Sequence, residues 1–522
     1  MTEIGNGRRS GLVVDRRELL AGAAALGLST AFGARPAAAQ AAPKKGGTLK
    51  LGMSGGSTSD TLDPRTFTDW VPTNIAYTMM NGLVEIDEKN QATPELFESW
   101  EAKPGAATWV FAVRKGVTFH NGKTLDADDV IYSLNLHRGD TKSAAKAVLA
   151  DITEIKKLDT HQVEITLKSG NADLPYILSD YHIIVVPNGF TDFSKPIGTG
   201  GYMFEMMEPG VRAVVKKHGS YWKPNRAWVD SVEFRVINDA TARVNALISG
   251  QVDVINRLDG RTVDLLGKNP NLQIIRSQAG QHAVFVMNTT SGPFANADAR
   301  LALKYGIDRQ KVVDTILKGY GTIGNDHPIP KTNPYHASEL AQHTYDPDKA
   351  KFHLNKAGMT GEKFVLQVSD AAFTGATDAA VLYQQAASKA GINLEVKREP
   401  SDGYWDNVWM KAPFCASYWG GRPTADQMLS IAYLSDAKWN DTAWKRPEFD
   451  KIVVAARAEL DQAKRKALYV EAQTMINQDG GALIPMFIDY LEAGSKKVGG
   501  MGPHPMFDFL GLRLAEKVWL NA

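Results

Sequence analysis

The chain has 522 residues, 43% of them hydrophobic and 22% charged, with a formal net charge of +1. This length allows two or three domains, and the near-neutral charge balance argues against a nucleic-acid partner. The single cysteine, Cys415, excludes an internal disulfide and any CxxC metal or redox site, and we expect it to be a small buried residue.

The N-terminal segment has the pattern of an export signal rather than that of an amphipathic helix of the folded protein. A stretch that looks like a twin-arginine motif at residues 15–20 is followed by a weakly apolar run at 19–32 and by small residues at 37–39. The apolar run is shorter than the ~20 residues that span a bilayer. We therefore predict a twin-arginine signal peptide at residues 1–39 and a soluble, periplasmic mature chain.

The first predicted strand, residues 48–51, runs into Gly52-Met53-Ser54-Gly55-Gly56. These letters match the G-x-S-x-G pattern of serine hydrolases, in which a helix follows the serine directly. Here the following residues are typical of a loop, so a secreted serine hydrolase that uses Ser54 stays an alternative without support from its context. A glycine-rich loop at a strand end can still offer backbone groups to a ligand, and Ser54, Gly55 and Gly56 are candidates for that role.

Alternating apolar residues predict most of the strands in the first half of the chain. Residues 109–119 are typical of a strand, a turn and a second strand. Asp126 is the predicted N-cap of a helix whose first turn carries Asp128 and Asp129, where the helix dipole favours acids. Further strands are predicted at 163–167, 211–216, 232–236 and 252–255, with a helix at 240–249.

A turn-rich segment after the apolar strand 283–288 indicates a domain boundary. Beyond it, strand 364–368, helix 377–390 and strand 392–396 form a βαβ unit, which predicts parallel strands in the second domain. Residues 319–324 match a dinucleotide-binding pattern by letter. They follow a predicted helix rather than a strand, so we expect no phosphate cradle there.

No arrangement of residues typical of an enzyme or of a metal site is found in the chain. The 11 histidines are scattered, and there is no H-E-x-x-H spacing, P-loop or EF-hand loop. Paired acids such as Asp128 and Asp129 are explained by a helix N-terminus. The sequence therefore favours binding over catalysis, with no catalytic residue, no cofactor and no metal.

Residues 416–426, Ala-Ser-Tyr-Trp-Gly-Gly-Arg-Pro-Thr-Ala-Asp, form the predicted ligand segment. The glycine pair lets backbone approach a ligand closely, the indole presents a flat apolar face, and the arginine fork suits a carboxylate or a phosphate. The proline biases the arginine toward an extended conformation. Taken alone, the segment is more typical of a surface turn with an aromatic plug, since Gly and Pro mostly mark turns. The candidate ligand contacts are Tyr418, Trp419, Gly420, Gly421, Arg422, Pro423 and Asp426.

Short segments along nearly all of the mature chain resemble segments of one protein family, and they occur in the same order as in that family. They are residues 62–64, 81–84, 94–96, 99–100, 114–123, 128–134, 198–202, 221–222, 250–253, 300–309 and Trp419. Together they resemble the bacterial extracellular solute-binding proteins of family five, the dipeptide, oligopeptide and nickel group. No single segment is specific for the family, but the ordered set is.

The resemblance implies an α/β protein with the two-lobed periplasmic-binding-protein, or Venus flytrap, fold. It implies mixed sheets and a hinge of two crossing strands near Met287 and Pro485. The implied limits are 44–287 for lobe I with a subdomain near 76–190, 288–485 for lobe II, and 486–522 for the return to lobe I. It also implies a monomer that holds a small-molecule ligand between its lobes and delivers it to an ABC permease in the inner membrane. A nickel or metal-chelate receptor of the same family is the alternative, although no local cluster of metal ligands is present.

One position departs from the family pattern. Peptide-binding members usually place an aspartate three residues after the tryptophan, where it pairs with the free amine of the peptide. Here that position is Arg422, which would repel an ammonium group and favour a carboxylate or phosphate. We therefore expect a peptide in another orientation, or an acidic peptide-like, opine-like or sugar-acid solute. The alternative is a local pair between Arg422 and Asp426 that leaves a neutral polar pocket.

Overall fold

The computed structural model describes residues 43–67, 69–400 and 404–521, so the predicted signal peptide at 1–39 lies outside the described residues. The strands are β1 Thr48–Met53, β2 Val84–Ile86, β3 Ala92–Pro94, β4 Phe97–Ala102, β5 Thr108–Val113, β6 Ile152–Asp159, β7 Gln162–Leu167, β8 Tyr202–Glu208, β9 Arg212–Lys217, β10 Ser231–Val236, β11 Val254–Ile255, β12 Leu272–Ser277, β13 His282–Met287, β14 Gly321–Ile323, β15 Lys363–Val368, β16 Asn393–Arg398, β17 Phe414–Trp419, β18 Ala482–Ile488, β19 Tyr490–Ser495, β20 Val498–Gly499 and β21 Trp519–Leu520. The helices are α1 Trp70–Met79, α2 Ala127–Asn135, α3 Leu174–Ile177, α4 Ala240–Ile248, α5 Gly260–Gly267, α6 Ala297–Tyr305, α7 Arg309–Ile316, α8 Pro347–Lys356, α9 Ala376–Lys389, α10 Tyr404–Asn407, α11 Ala425–Ala432, α12 Pro447–Ala458, α13 Gln462–Asp479, α14 Asp508–Leu512 and α15 Leu514–Lys517.

Two large mixed sheets organise the chain. The first has the strand order β12-β19-β11-β1-β10-β9-β8, with β1 parallel to both β10 and β11. The second has the order β14-β18-β13-β17-β15-β16. Here β15 pairs in parallel with β16 and β17, which confirms the predicted βαβ unit around α9. β13 is central in its sheet, and all six of its residues are buried, as expected of a strand paired on both edges and covered on both faces.

The chain passes between the two sheets twice. It leaves the first sheet at Ser277 and enters the second at His282, then leaves the second at Ile488 and re-enters the first at Tyr490. The expected α/β architecture of two lobes joined by two crossing strands is therefore confirmed. Met287 and Pro485, where the sequence placed the hinge, lie at the end of β13 and in the middle of β18.

A separate four-stranded antiparallel sheet, β4-β5-β7-β6, belongs to the first half of the chain. The second strand predicted within residues 109–119 does not form, and Thr118 makes only an isolated bridge with Thr124. Both edges of β5 are already paired, one with β4 and the other with β7, so β5 has no free edge with which the predicted second strand could pair. The predicted cap of the next helix is confirmed, because the Asp126 carboxylate accepts from the backbone of Asp128 and Asp129 at 2.9 and 3.2 Å.

Among residues 43–67, 69–400 and 404–521, no helix has the length and apolar character needed to cross a membrane. Cys415 is buried on β17, as expected for a small apolar residue, and burial raises the pKa of its thiol, which keeps it protonated.

Candidate functional site

The predicted ligand segment lies at the carboxyl edge of the parallel strands of the second sheet. β17 ends at Trp419, a short loop follows, and α11 begins after the N-cap Thr424, whose hydroxyl accepts from the backbone of Gln427 at 3.2 Å. In open α/β sheets, ligands bind beyond this edge. The loop also packs closely against the first crossing between the sheets. A Cβ added to Gly421 would lie only 3.1 Å from the Cα of Gly280 in that crossing. Glycine at 421 is thus needed for close packing of the loop on the hinge.

Arg422 holds its guanidinium where the two lobes meet. Its Nη1 donates to the carbonyl oxygens of Gly420 and Gly421 at 2.9 and 3.2 Å. Burial lowers the pKa of this guanidinium, and the phenols of Tyr418 and Tyr181 oppose that shift. Tyr181 follows α3 and belongs to the first half of the chain, so groups from both halves of the chain act electrostatically on the guanidinium. Within the described parts of the chain, no carboxylate lies within salt-bridge distance of it.

Asp426 does not pair with Arg422. Its carboxylate accepts from Nε of Arg457 at 3.0 and 3.1 Å and from the hydroxyl of Ser430 at 3.1 Å. The pair with Arg422, which the sequence left as an alternative, is therefore wrong. The two residues are only four apart, but α11 begins between them and carries Asp426 toward α12, where Arg457 is the nearer cation. Arg422 consequently keeps an uncompensated positive charge.

Trp419 is a buried part of the site wall rather than an exposed stacking face. Its indole Nε1 donates to Oδ2 of Asp441 at 3.3 Å, and Nε1 of Trp409 donates to the same oxygen at 3.1 Å. Burial raises the pKa of the Asp441 carboxyl to about 6, and the two indole donors oppose the rise. Asp441 was not predicted from the sequence, because an aspartate in a loop after Trp439 carries no local signal that two distant indoles converge on it.

The first-lobe candidates lie at the end of β1. The backbone N–H of Ser54 donates to Oδ1 of Asn256 at 3.2 Å, and that of Gly55 donates to Oδ1 of Asn238 at 2.8 Å. Gly55 has φ 99°, and a Cβ there would meet the Asp69 carboxylate at 2.2 Å, so only glycine fits. The residues after Ser54 are loop, and the next α-helix begins at Trp70. The helix that a serine nucleophile needs is thus absent from this described stretch.

An aromatic wall in the first lobe includes Tyr181, whose phenol interacts electrostatically with Arg422. The ring of Trp70 lies 5.5 Å from that of Tyr181 and 4.9 Å from that of Phe507, and Tyr181 and Phe507 are 6.0 Å apart. Burial and the nearby Asp180 raise the pKa of Tyr181 to about 12, while the charge of Arg422 opposes the shift. The three rings come from segments more than 100 residues apart, so no spacing in the sequence could have grouped them.

A buried ion pair joins the lobes at the edge of this region. Nη2 of Arg465 on α13 lies 2.7 Å from Oδ1 of Asp173, and their side chains are 2% and 1% exposed. Beside it, the backbone N–H of Ala172 donates to the carbonyl oxygen of Arg457 at 2.7 Å. Asp173 precedes α3 of the first half of the chain, whereas Arg457 and Arg465 belong to the second lobe. These contacts can form only while the lobes are together.

The described residues contain no group of three or more histidine, cysteine, aspartate or glutamate side chains placed to hold a metal ion. The arrangement instead offers one unpaired guanidinium, one unpaired buried carboxylate and many aromatic surfaces. Such a set suits recognition of an organic solute by charge and stacking.

Three comparisons with known proteins agree on one kind of protein. Residues 91–441 match the family model described as bacterial extracellular solute-binding proteins, family 5 middle. Di/tripeptide-binding protein 1 of Pseudomonas aeruginosa is 27% identical over 473 residues, covering 80% of this chain and 85% of the relative. The glutathione-binding protein GsiB of Pectobacterium atrosepticum is 25% identical over 483 residues, covering 88% and 93%. Among solved structures, HbpA2 from Haemophilus parasuis superposes with a TM-score of 0.82 at 21% identity, over 91% of this chain and 100% of that one.

Proposed function

The chain belongs to the bacterial extracellular solute-binding proteins of family 5, and we propose that it captures a peptide-like or acidic small solute between its lobes for an ABC importer. In this proposal it is exported to the periplasm by the twin-arginine route, acts as a monomer and hands the solute to an inner-membrane permease. It has no catalytic role and no cofactor. The carboxylate or phosphate of the solute binds to Arg422.

One observation carries the proposal. In the described parts of the chain, the guanidinium of Arg422 has only the backbone carbonyls of Gly420 and Gly421 as hydrogen-bond partners. Arginine side chains that are largely buried normally have a carboxylate or several acceptors, because an uncompensated buried charge is costly. A planar anionic group from a solute would supply the missing partner through two parallel hydrogen bonds. Peptide-like solutes are supported by the relatives that are named for di/tripeptides and glutathione.

Closure follows from the same geometry. A ligand shifts the balance between open and closed lobes only if it binds the closed form more tightly. A solute held by Arg422 would also touch Tyr181 and the other rings of the first-lobe wall, so it contacts both lobes. Hinge motion at the two crossings, residues 278–281 and Asp489, would then bury the solute.

Native mass spectrometry of protein purified without refolding tests the proposal. We expect a co-purifying small molecule that carries a carboxylate or phosphate, released when the protein is unfolded. Protein with Arg422→Ala, prepared in parallel, is expected to lose it, since the anion then has no cationic partner. A bound compound with no acidic group, retained equally by both proteins, would contradict the assignment of Arg422.

A serine-reactive fluorophosphonate probe separates solute binding from hydrolysis at Ser54. We expect no labelling of the chain, because no helix follows the serine to hold it as an exposed nucleophile. A known serine hydrolase in the same reaction serves as the positive control. Labelling that disappears in Ser54→Ala would show that the absence of a catalytic role is wrong.

A further inference from the structure

Five aromatic side chains form a continuous row at the carboxyl edge of the second sheet. The ring centroids of successive members are separated by 5.7 Å for Tyr418–Trp405, 5.8 Å for Trp405–Trp409, 6.4 Å for Trp409–Trp419 and 6.1 Å for Trp419–Trp439. Three of these side chains remain exposed, Trp405 by 37%, Tyr418 by 42% and Trp439 by 47%. A cluster of exposed rings on a soluble protein marks a place that something else covers. We refer to these five side chains as the aromatic row.

Asp441 lies behind the centre of the aromatic row. One of its carboxylate oxygens accepts from the indole nitrogens of both Trp409 and Trp419. The residue is 7% exposed, and no lysine, arginine or histidine in the described residues lies within salt-bridge distance of it. A buried carboxylate with neutral donors only is costly. The negative charge behind the row therefore has no counter-ion among the residues that the structure describes.

This arrangement suits a cation on the open side of the rings. The face of an aromatic ring carries negative electrostatic potential and attracts ammonium and guanidinium groups. Hydrogen bonds polarise one another, so the Asp441 carboxylate makes the rings of Trp409 and Trp419, between the exposed ends of the row, more negative still. The absence of a cluster of metal ligands in the described residues points to an organic cation rather than a metal ion.

The aromatic row begins beside the unpaired arginine. Tyr418 is one end of the row, and its phenol is close enough to Arg422 to oppose the lowering of the guanidinium pKa. A positive site and a negative site are therefore connected through the aromatic row, and in the described part of the chain neither has a partner of opposite charge. A solute that carries both charges would satisfy the two sites together.

We propose that the aromatic row, with Asp441 behind it, holds the cationic group of the same solute whose carboxylate binds to Arg422. The solute is then a zwitterion that carries an ammonium or guanidinium group. This inference rests on the function proposed above. Asp441 acts as a positioning residue, because it fixes the orientation of Trp409 and Trp419 and does not itself touch the solute.

The titration of Asp441 makes the cation contact measurable. The other titratable groups near it are Cys415 on β17 and Tyr433 after α11; burial raises the pKa of both, so they stay neutral below pH 8. The carboxyl of Asp441 has a pKa of about 6, and a cation bound at the rings favours its ionised form. Binding then requires the carboxyl to lose its proton, so affinity rises with pH between 5 and 7. His282 beside Arg422 has a pKa lowered to about 4 by burial, outside this window.

The first test uses matched probes and native mass spectrometry of the full chain. Four equimolar pools contain the same amino acids and short peptides as free, N-acetylated, C-amidated and doubly blocked compounds. Free compounds are expected to be retained at least ~tenfold more than their acetylated and amidated forms. Equal retention of acetylated compounds overturns the cation contact while leaving the carboxylate site at Arg422 intact. Equal retention of amidated compounds overturns that carboxylate site instead. If the protein retains no compound from any pool, the proposal that the solute is a zwitterion is wrong.

The second test measures the affinity of the best retained free compound by calorimetry between pH 5 and 7. The affinity of the unaltered chain is expected to rise by up to about tenfold, because one proton leaves Asp441. Asp441→Asn is expected to give a flat profile. Trp439→Leu removes an exposed ring. It should weaken binding of the free compound but not of its acetylated form, and the Tm of the variant should equal that of the unaltered chain. A profile for Asp441→Asn that parallels the unaltered chain, or equal weakening of both compounds by Trp439→Leu, overturns the inference.

Discussion

Replacing Arg422 with alanine is expected to weaken solute binding by ~2–5 kcal/mol, the cost of removing one partner of a buried charged pair. At 1.4 kcal/mol per factor of ten, this is a loss of roughly thirty-fold to several-thousand-fold in affinity. The reason lies in the surroundings of the guanidinium. No protein carboxylate neutralises it in the described residues, so the solute would supply its only anionic partner.

Calorimetry with the co-purified solute, after its removal by unfolding and refolding of the protein, measures this effect. Arg422→Lys keeps the charge without the planar fork and is expected to recover only part of the affinity, since the two parallel hydrogen bonds are lost. Arg261→Ala is the matched control, because Arg261 is exposed and pairs only with Asp259 at the start of α5. An affinity unchanged by Arg422→Ala would remove the acidic group from the description of the solute.

The second large effect is expected at the ion pair between the lobes. Asp173→Ala leaves the buried guanidinium of Arg465 without its carboxylate, and breaking such a pair typically costs ~3–5 kcal/mol. The protein can lower this cost by separating the lobes, which returns Arg465 to water. The variant is therefore expected to favour the open form, with a larger radius of gyration and weaker solute binding.

Small-angle scattering with and without solute, together with the binding affinity, measures the shift. The matched control is Asp426→Ala, which breaks the pair with Arg457 inside the second lobe and is expected to lower thermal stability without opening the lobes. Adding Arg465→Met to Asp173→Ala removes the stranded charge and should restore part of the closure. Scattering and affinity both unchanged in Asp173→Ala would show that this pair does not stabilise the closed form.

Local sequence patterns were sufficient for most of the secondary structure. The alternation in 163–167 predicted β7, and the β15-α9-β16 unit followed from two apolar runs around a helix with a glycine at its end. Asp126 was recognisable as a cap because capping uses backbone groups within three residues. These features depend on neighbours in the chain, so periodicity and residue type determine them.

The partners of the charged groups were decided by the tertiary structure alone. Arg422 and Asp426 are near each other in sequence, yet Asp426 pairs with Arg457, 31 residues away, because α11 carries it toward α12. Asp441 is joined to Trp409 and Trp419 only because the fold brings the two indoles to it, and Tyr181 of the first lobe acts electrostatically on Arg422. The choice of an ionic partner depends on distance and burial in the folded protein, and the spacing of residues along the sequence indicates neither. The sequence by itself determined an α/β chain and predicted an export signal, because both depend on local composition and periodicity. That Arg422 has no carboxylate partner among the described residues was decided by the tertiary structure alone.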